Sequence, residues 1–268
     1  MTKAPNIESI YNDYITEQNN LNREKRYTGK EKYYHASAAN SGSRKLYYES
    51  VALEKTTNEP KKESYRKMRL GTIFHNEMED CYNSQPSNGT GTGTITGTGT
   101  SIPSSFKVHQ ENEIIIEELN VRGFYDLVLE MSTGEVYLYD FKTMASFPWK
   151  LKFGNKPVFK YSKPPKKNLR YEYQLGTYGY AIRKEFSRLD GMFLVYYNKD
   201  TSAMKQLPVD LKYVNIAYQF WKELKSEHSI GLPPVEDGVS PKEPWECNYC
   251  NFKDLCYSDS PQGYKSVQ

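Results

Sequence analysis

No apolar run in this 268-residue chain approaches the roughly 20 residues that a membrane-spanning helix needs, so no membrane partner is expected. The first twenty residues, MTKAPNIESIYNDYITEQNN, contain no apolar signal core, which points away from secretion. The expected setting is cytoplasmic. Cysteine is scarce, at four residues, and in such a setting it favours metal ligation or plain burial over a disulfide framework. Charge is nearly balanced: 36 Lys and Arg against 33 Asp and Glu give a formal +3. That balance neither demands nor excludes nucleic acid, so the distribution of charge carries more than its sum.

What is present is a clear order of elements. Residues 1–30 are polar and charged and read as a helix with a loose arm. From Glu63 to Tyr82, Leu70, Ile73, Phe74, Met78 and Cys81 recur at helical spacing. The Gly/Thr/Ser tract over 83–105 cannot bury enough apolar surface to offset its ordering entropy, and a mobile insertion is expected there. Strands follow at 112–118, 123–130 and 136–143, then a helix at 170–186 and a strand at 192–198. A short strand near Gln206–Val209 and a helix over Val214–His228 complete the series. Strands wrapped by helices in this order predict one α/β (α+β) domain over 31–258, with a Cys-rich segment at 232–258 and a tail at 259–268.

The segments GFYDLVLE and VYLYDFKT are joined through MSTGE. A three-residue loop, Ser132-Thr133-Gly134, with Gly in the left-handed position is a favoured hairpin connection. Counting outward from Thr133, Met131 faces Glu135 and Asp126 faces Asp140. Opposed residues have Cβ atoms about 5 Å apart, and like charges placed there destabilise a sheet. The strand period of two puts Asp140 and Lys142 on one face and Tyr139 and Phe141 on the other. Two carboxylates and an ammonium on one patch are costly unless a divalent cation compensates them, and hard oxygen donors suit Mg²⁺. An isolated Asp-x-Lys would ordinarily be a solvated salt-bridge face; the second aspartate in register favours a site.

With these residues the chain resembles the PD-(D/E)XK nuclease superfamily, in its RecB-like exonuclease branch. The resemblance rests on four motifs in order: GTIFH (Gly71 to His75), GFYD ending at Asp126, DFK (Asp140 to Lys142), and QLGTY (Gln174 to Tyr178). It covers roughly residues 35–258 and is specific as a set, although each motif alone is weak. It implies a restriction-endonuclease-like core, a central mixed sheet flanked by helices. It further implies that His75, Asp126, Asp140 and the Phe141 carbonyl hold Mg²⁺ or Mn²⁺, and that Lys142 assists the attacking water. Gln174 and Tyr178, one helical turn apart, would complete the catalytic set, and Glu79 could support His75.

The spacing Cys247-x2-Cys250-x5-Cys256 lets three thiols wrap one metal centre. It resembles the C-terminal trio of iron–sulfur-type RecB-like nucleases, including AddB-type subunits and the CRISPR spacer-acquisition nucleases. Those carry a fourth, upstream cysteine, whereas the similar stretch here has Ser41-Gly42-Ser43. A [4Fe–4S] cluster or Zn²⁺ is the implied cofactor, and its fourth ligand is open. Cys81 is the remaining thiol, and its place on the apolar stripe makes it a core residue first and a ligand second.

Residues 150–170 carry seven lysines and one arginine with no acid, interleaved with Phe153, Phe159 and Tyr161. Such a strip suits a phosphate backbone and unstacked bases, so Lys163, Lys166, Lys167 and Arg170 are expected to contact DNA. The resulting expectation is a Mg²⁺- or Mn²⁺-dependent deoxyribonuclease acting on DNA ends or single strands. It would serve recombination, repair or phage DNA processing, in company with recombination or single-strand-binding proteins. The rival readings are a flap- or restriction-type endonuclease on the same site, a non-cleaving DNA-binding subunit, and a zinc-stabilised interaction module.

Overall fold

The computed structural model describes residues 6–27, 33–51, 62–83, 106–154, 169–234 and 244–259. Nearly all of the Gly/Thr-rich insertion, and the basic stretch with Lys163, Lys166 and Lys167, lie outside them. In chain order the elements are α1 (Ile7–Tyr27), β1 (Tyr34–His35), α2 (Ser43–Ser50), α3 (Lys62–Asn83), β2 (Phe106–Gln110), β3 (Glu113–Ile116) and β4 (Val121–Phe124). Then come β5 (Leu127–Met131), β6 (Val136–Met144), α4 (Ser146–Phe153), α5 (Arg170–Phe186), β7 (Gly191–Asn198), β8 (Met204–Val209), α6 (Lys212–Ile230) and α7 (Lys253–Ser258). The chain divides into two compact units. One comprises His35–Asn40 and Ile73–Glu223, and the other Met1–Tyr34, Ser41–Thr72 and Leu224–Gln268.

The larger unit is built on a five-stranded mixed sheet in the order β2-β5-β6-β7-β8, with β6 and β7 parallel and the other pairs antiparallel. β5 and β6 pair in the expected register, with Leu127 opposite Tyr139 and Glu130 opposite Val136. The turn closes through the Met131 amide to the Glu135 carbonyl and the Gly134 amide to the Met131 carbonyl, each 2.8 Å. Gly134 sits at φ +90°, a conformation that side chains with a Cβ resist.

Beside β2, a strand the sequence reading lacks, two expected segments differ. The run 123–130 is not one strand: Gly123 belongs to β4, which pairs with β3 in a separate three-stranded sheet, and Leu127 begins β5. The chain changes sheets at Tyr125–Asp126, which a local hydrophobic pattern does not encode. The prolines at 157, 164 and 165 predict an irregular flap for the basic stretch, yet its first residues are helical, Lys150 to Phe153 forming the second half of α4.

Each face of the larger sheet is covered by a helix. On one, Phe74 and Met78 of α3 pack against Leu127, Phe141 and Val195. Fully burying such side chains stabilises a fold by roughly 1.5–3 kcal/mol each, and these are partly buried. The apolar stripe does not run the length of α3: Leu70 and Ile73 are about half exposed, and Cys81 is exposed rather than in the core. The other face carries Asp140, Lys142, Leu194 and Tyr196 and is met by α5, whose Tyr171 ring approaches both Lys142 and Tyr196. Trp221 of α6 backs α5, donating its indole N–H to Thr177 Oγ1 at 2.8 Å. Gly123 permits this packing, since a Cβ there would come within 2.8 Å of both the Ala36 Cβ and the Tyr178 ring.

The smaller unit ties the cysteine-bearing end of the chain to α2 through side chains. Buried Arg44 donates to the Cys256 thiol at 3.3 Å, the Pro233 carbonyl at 2.8 Å and the Tyr48 hydroxyl at 3.1 Å. Tyr48 in turn donates to Asp259 at 2.7 Å and stacks on Phe252. Ser43 donates to Glu227 at 2.6 Å and lies 3.0 Å from His228 Nε2. With the Ser43 proton committed to Glu227, the imidazole must carry its own proton on Nε2 and accept the Tyr34 hydroxyl at Nδ1, 2.8 Å away.

Candidate active site

Asp140 and Lys142 share one face of β6, and their charged groups lie 2.5 Å apart. Asp140 is 1% exposed, and neither of its oxygens has a well-aligned hydrogen-bond donor. The Lys142 ammonium is what offsets the cost of burying that carboxylate. Burial works against the Lys142 charge, but the carboxylates of Asp140 and Asp126 outweigh it and hold the ammonium above its usual range.

Asp126 occupies the residue between the two sheets, just before β5, where its Oδ2 accepts the Phe141 amide across the hairpin. Burial first and then the negative charge of Asp140 push its carboxyl well above the usual range. Lys142 and the Phe141 amide offset part of that rise. A carboxyl raised in this way is stabilised in its charged form by any cation placed beside it.

His75 reaches the same place from α3, with Nε2 3.0 Å from the Phe141 carbonyl and Nδ1 3.6 Å from Asp126 Oδ1. Glu111, absent from the expected set, completes the cluster. Ligand atoms of His75, Glu111 and Asp126 all lie within 4.8 Å of one another, the one such group of three among the described residues. Glu111 sits at φ +47° in the link between β2 and β3, and its amide lies 3.4 Å from the Asp126 carbonyl. The preceding Gln110 is fixed by a 3.3 Å hydrogen bond to the Glu79 carbonyl of α3.

Gln174 and Tyr178 lie buried on α5, the Gln174 amide donating to the Tyr178 hydroxyl at 3.0 Å. Burial and then the Asp140 charge raise the Tyr178 phenol well above its ordinary range. It is therefore a neutral hydroxyl beside the acids. Arg170 is the first residue of α5.

The donor set fits a hard divalent cation: the Glu111 and Asp126 carboxylates and the His75 imidazole converge, the Phe141 carbonyl lies beside His75, and the Asp140 carboxylate, paired with Lys142, carries its charge close to Asp126. The cysteine segment offers no comparable convergence. Cys247, Cys250 and Cys256 lie on a 3-10 turn, a loop and α7, and their thiols are not all within 4.8 Å of one another. Burial raises the Cys247 and Cys250 thiols, and Cys256 takes the Arg44 bond. Cys81 belongs to the other unit.

Glu111 escaped the sequence because the strand leading to it did. Pairing KVHQE antiparallel with DLVLE places Gln110 opposite Leu127, and one step further brings Glu111 to Asp126. That register was the available signal.

These observations meet an independent one: the sequence profile of the PD-(D/E)XK nuclease superfamily matches residues 94–257, more than half of the chain. The chain belongs to that superfamily, whose members are divalent-metal-dependent nucleases. The solved structure described as "Crystal structure of SSO0001" shares the fold. It gives a TM-score of 0.52 over 93% of this chain and 97% of that one, at 17% identity. No curated protein matches the sequence.

Proposed function

We propose that this chain is a Mg²⁺- or Mn²⁺-dependent DNA exonuclease serving recombination, repair or phage DNA processing. The observation that carries the reading is the buried pair Asp126, which accepts the Phe141 amide just before β5, and Asp140 of β6, with Lys142 on Asp140 and His75 and Glu111 beside Asp126. Asp126, Asp140, Glu111, His75 and the Phe141 carbonyl would hold the metal. A bound divalent ion supplies Lewis acidity toward the scissile phosphate and an activated water.

Lys142 places a fixed positive charge where the pentavalent phosphate accumulates negative charge. Gln174 orients the Tyr178 hydroxyl, which as a neutral donor can hydrogen-bond a phosphate oxygen. Lys163, Lys166, Lys167 and Arg170 would neutralise backbone phosphates. Preference for ends draws support from the likeness of the motif set to the RecB-like exonuclease branch.

The test uses labelled linear and covalently closed circular DNA with Mg²⁺ or Mn²⁺. Linear DNA should be degraded from its ends, the circle should persist, and EDTA should stop the reaction. Cutting of the circle would make the protein an endonuclease, and persistence of both substrates would overturn the hydrolytic reading.

A further inference from the structure

We infer that α1 is a docking seam for a second copy of this chain, whose own α1 lies antiparallel along it. The inference goes beyond the nuclease reading and does not depend on it. Ile7, Ile10, Tyr14, Glu17 and Leu21 follow one another in alternating steps of three and four residues, the a and d spacing of a two-helix seam. All five face water: Ile7 is 73% exposed, Ile10, Tyr14 and Leu21 are each about half exposed, and Glu17 is exposed among them. A single exposed isoleucine is ordinary, but a continuous apolar row over two heptads marks an interaction surface.

The contact of α1 with its own protomer uses a different side. Its buried residues are Asn12 and Ile15, and Gln18 and Asn19 are half-buried. Asn12 Oδ1 accepts the Arg66 guanidinium of α3 at 2.9 Å, and the same nitrogen donates to Glu8 at 2.9 Å. At 100° per residue the heptad row lies roughly a third of a turn round the axis from that contact. The helix is therefore anchored while its a and d positions stay in water.

Charge selects both the occupant and its direction. Two parallel copies of this helix would set Glu17 against Glu17, a like-charge contact. Antiparallel pairing of a with d positions sets Ile10 against the partner's Leu21 and Tyr14 against the partner's Glu17, each twice by the two-fold symmetry. The phenol can donate to the carboxylate, so the one charged residue of the seam meets a hydrogen-bond donor. An unrelated helix would have to supply that donor in the same register, whereas this helix supplies it to itself.

One helix from each copy makes a small interface, so a dimer of micromolar strength is expected. Sedimentation equilibrium of the full chain, from about 1 to 200 µM, reads the association constant. Ile10→Ser with Leu21→Ser should weaken it about a hundredfold, because four apolar side chains leave the seam of each dimer. Circular dichroism of the monomer should not change, since both residues are exposed in it. Oxidative cross-linking reads the direction. Ile10→Cys with Leu21→Cys should form a disulfide-linked dimer above the background set by the four native cysteines. Ile10→Cys alone should not, because antiparallel pairing leaves the two copies of position 10 about 16 Å apart. A wild-type chain that stays monomeric throughout, or a dimer untouched by the serine pair, would overturn the seam. Cross-linking of Ile10→Cys alone as strong as that of the double variant would overturn the antiparallel arrangement. None of these readouts involves DNA cleavage, so failure of the nuclease reading would leave the seam standing.

Discussion

Lys142→Met should lose about 10³-fold in hydrolysis and, in metal-free buffer, about 3–5 kcal/mol of stability. The two losses have separable causes. Asp140 is 1% exposed, and Lys142 is its charged neighbour at 2.5 Å. Removing one partner of a buried ion pair leaves an uncompensated charge, which accounts for the stability term. The catalytic term follows from losing a preorganised positive group where charge develops. Methionine keeps the length and apolar stem, so the change isolates the ammonium. Saturating Mn²⁺ should recover most of the stability, because a cation bound between the acids replaces the missing charge, while activity stays low. Chemical denaturation with and without Mn²⁺, read beside the cleavage rate, checks both parts. Stability that ignores the metal would show that Asp140 does not face the ion.

Asp126→Asn should move the metal-free protein in the opposite direction, raising its stability near neutral pH by about 1 kcal/mol or more. Burial and Asp140 push the Asp126 carboxyl above its unfolded value. An acid shifted upward on folding costs the native state nothing well below the unfolded pKa near 3.9. The cost grows as pH rises above that value and levels off beyond the folded pKa. Asparagine removes the cost and can still accept the Phe141 amide through its carbonyl oxygen. The same variant should lose the stabilisation that Mn²⁺ confers on the wild type, about 2.7 kcal/mol at one hundred times Kd, and its activity with it. Thermal melts over pH 5 to 8 would register the crossing: variant above wild type without metal, below it with metal. A variant less stable than wild type at every pH without metal would contradict the mutual repulsion of the two acids.

Which features the sequence revealed follows from how local their determinants are. The hairpin was legible because turn chemistry and the two-residue period are local: Gly134 sets the loop, and the loop sets the register that brings Leu127 opposite Tyr139. Likewise the helix carrying Gln174 and Tyr178 follows from an unbroken pattern in Arg170–Phe186. The site residues that were missed depend on distant pairing. β2 is five residues of mixed character, and only its register against β5 brings Glu111 beside Asp126. The break at Tyr125 exists because two sheets compete for one segment, a choice made by tertiary packing and by the space that Gly123 leaves for Tyr178. For Cys81 the spacing identified a helix face but not how far along that face the core extends. The serines at 41 and 43 mark where a thiol was expected, and Arg44 and Tyr48 next to them hold the chain end by hydrogen bonds and stacking.

The most direct measurement is an anomalous difference map from crystals soaked in Mn²⁺ and recorded near the manganese edge. A single strong peak should lie within coordination distance, about 2.0–2.6 Å, of Asp126 and at least one of Asp140, Glu111 and His75. Manganese bound only elsewhere, with those side chains arranged as here and the space between them filled by solvent, would contradict the assignment of the hairpin acids to metal-dependent hydrolysis.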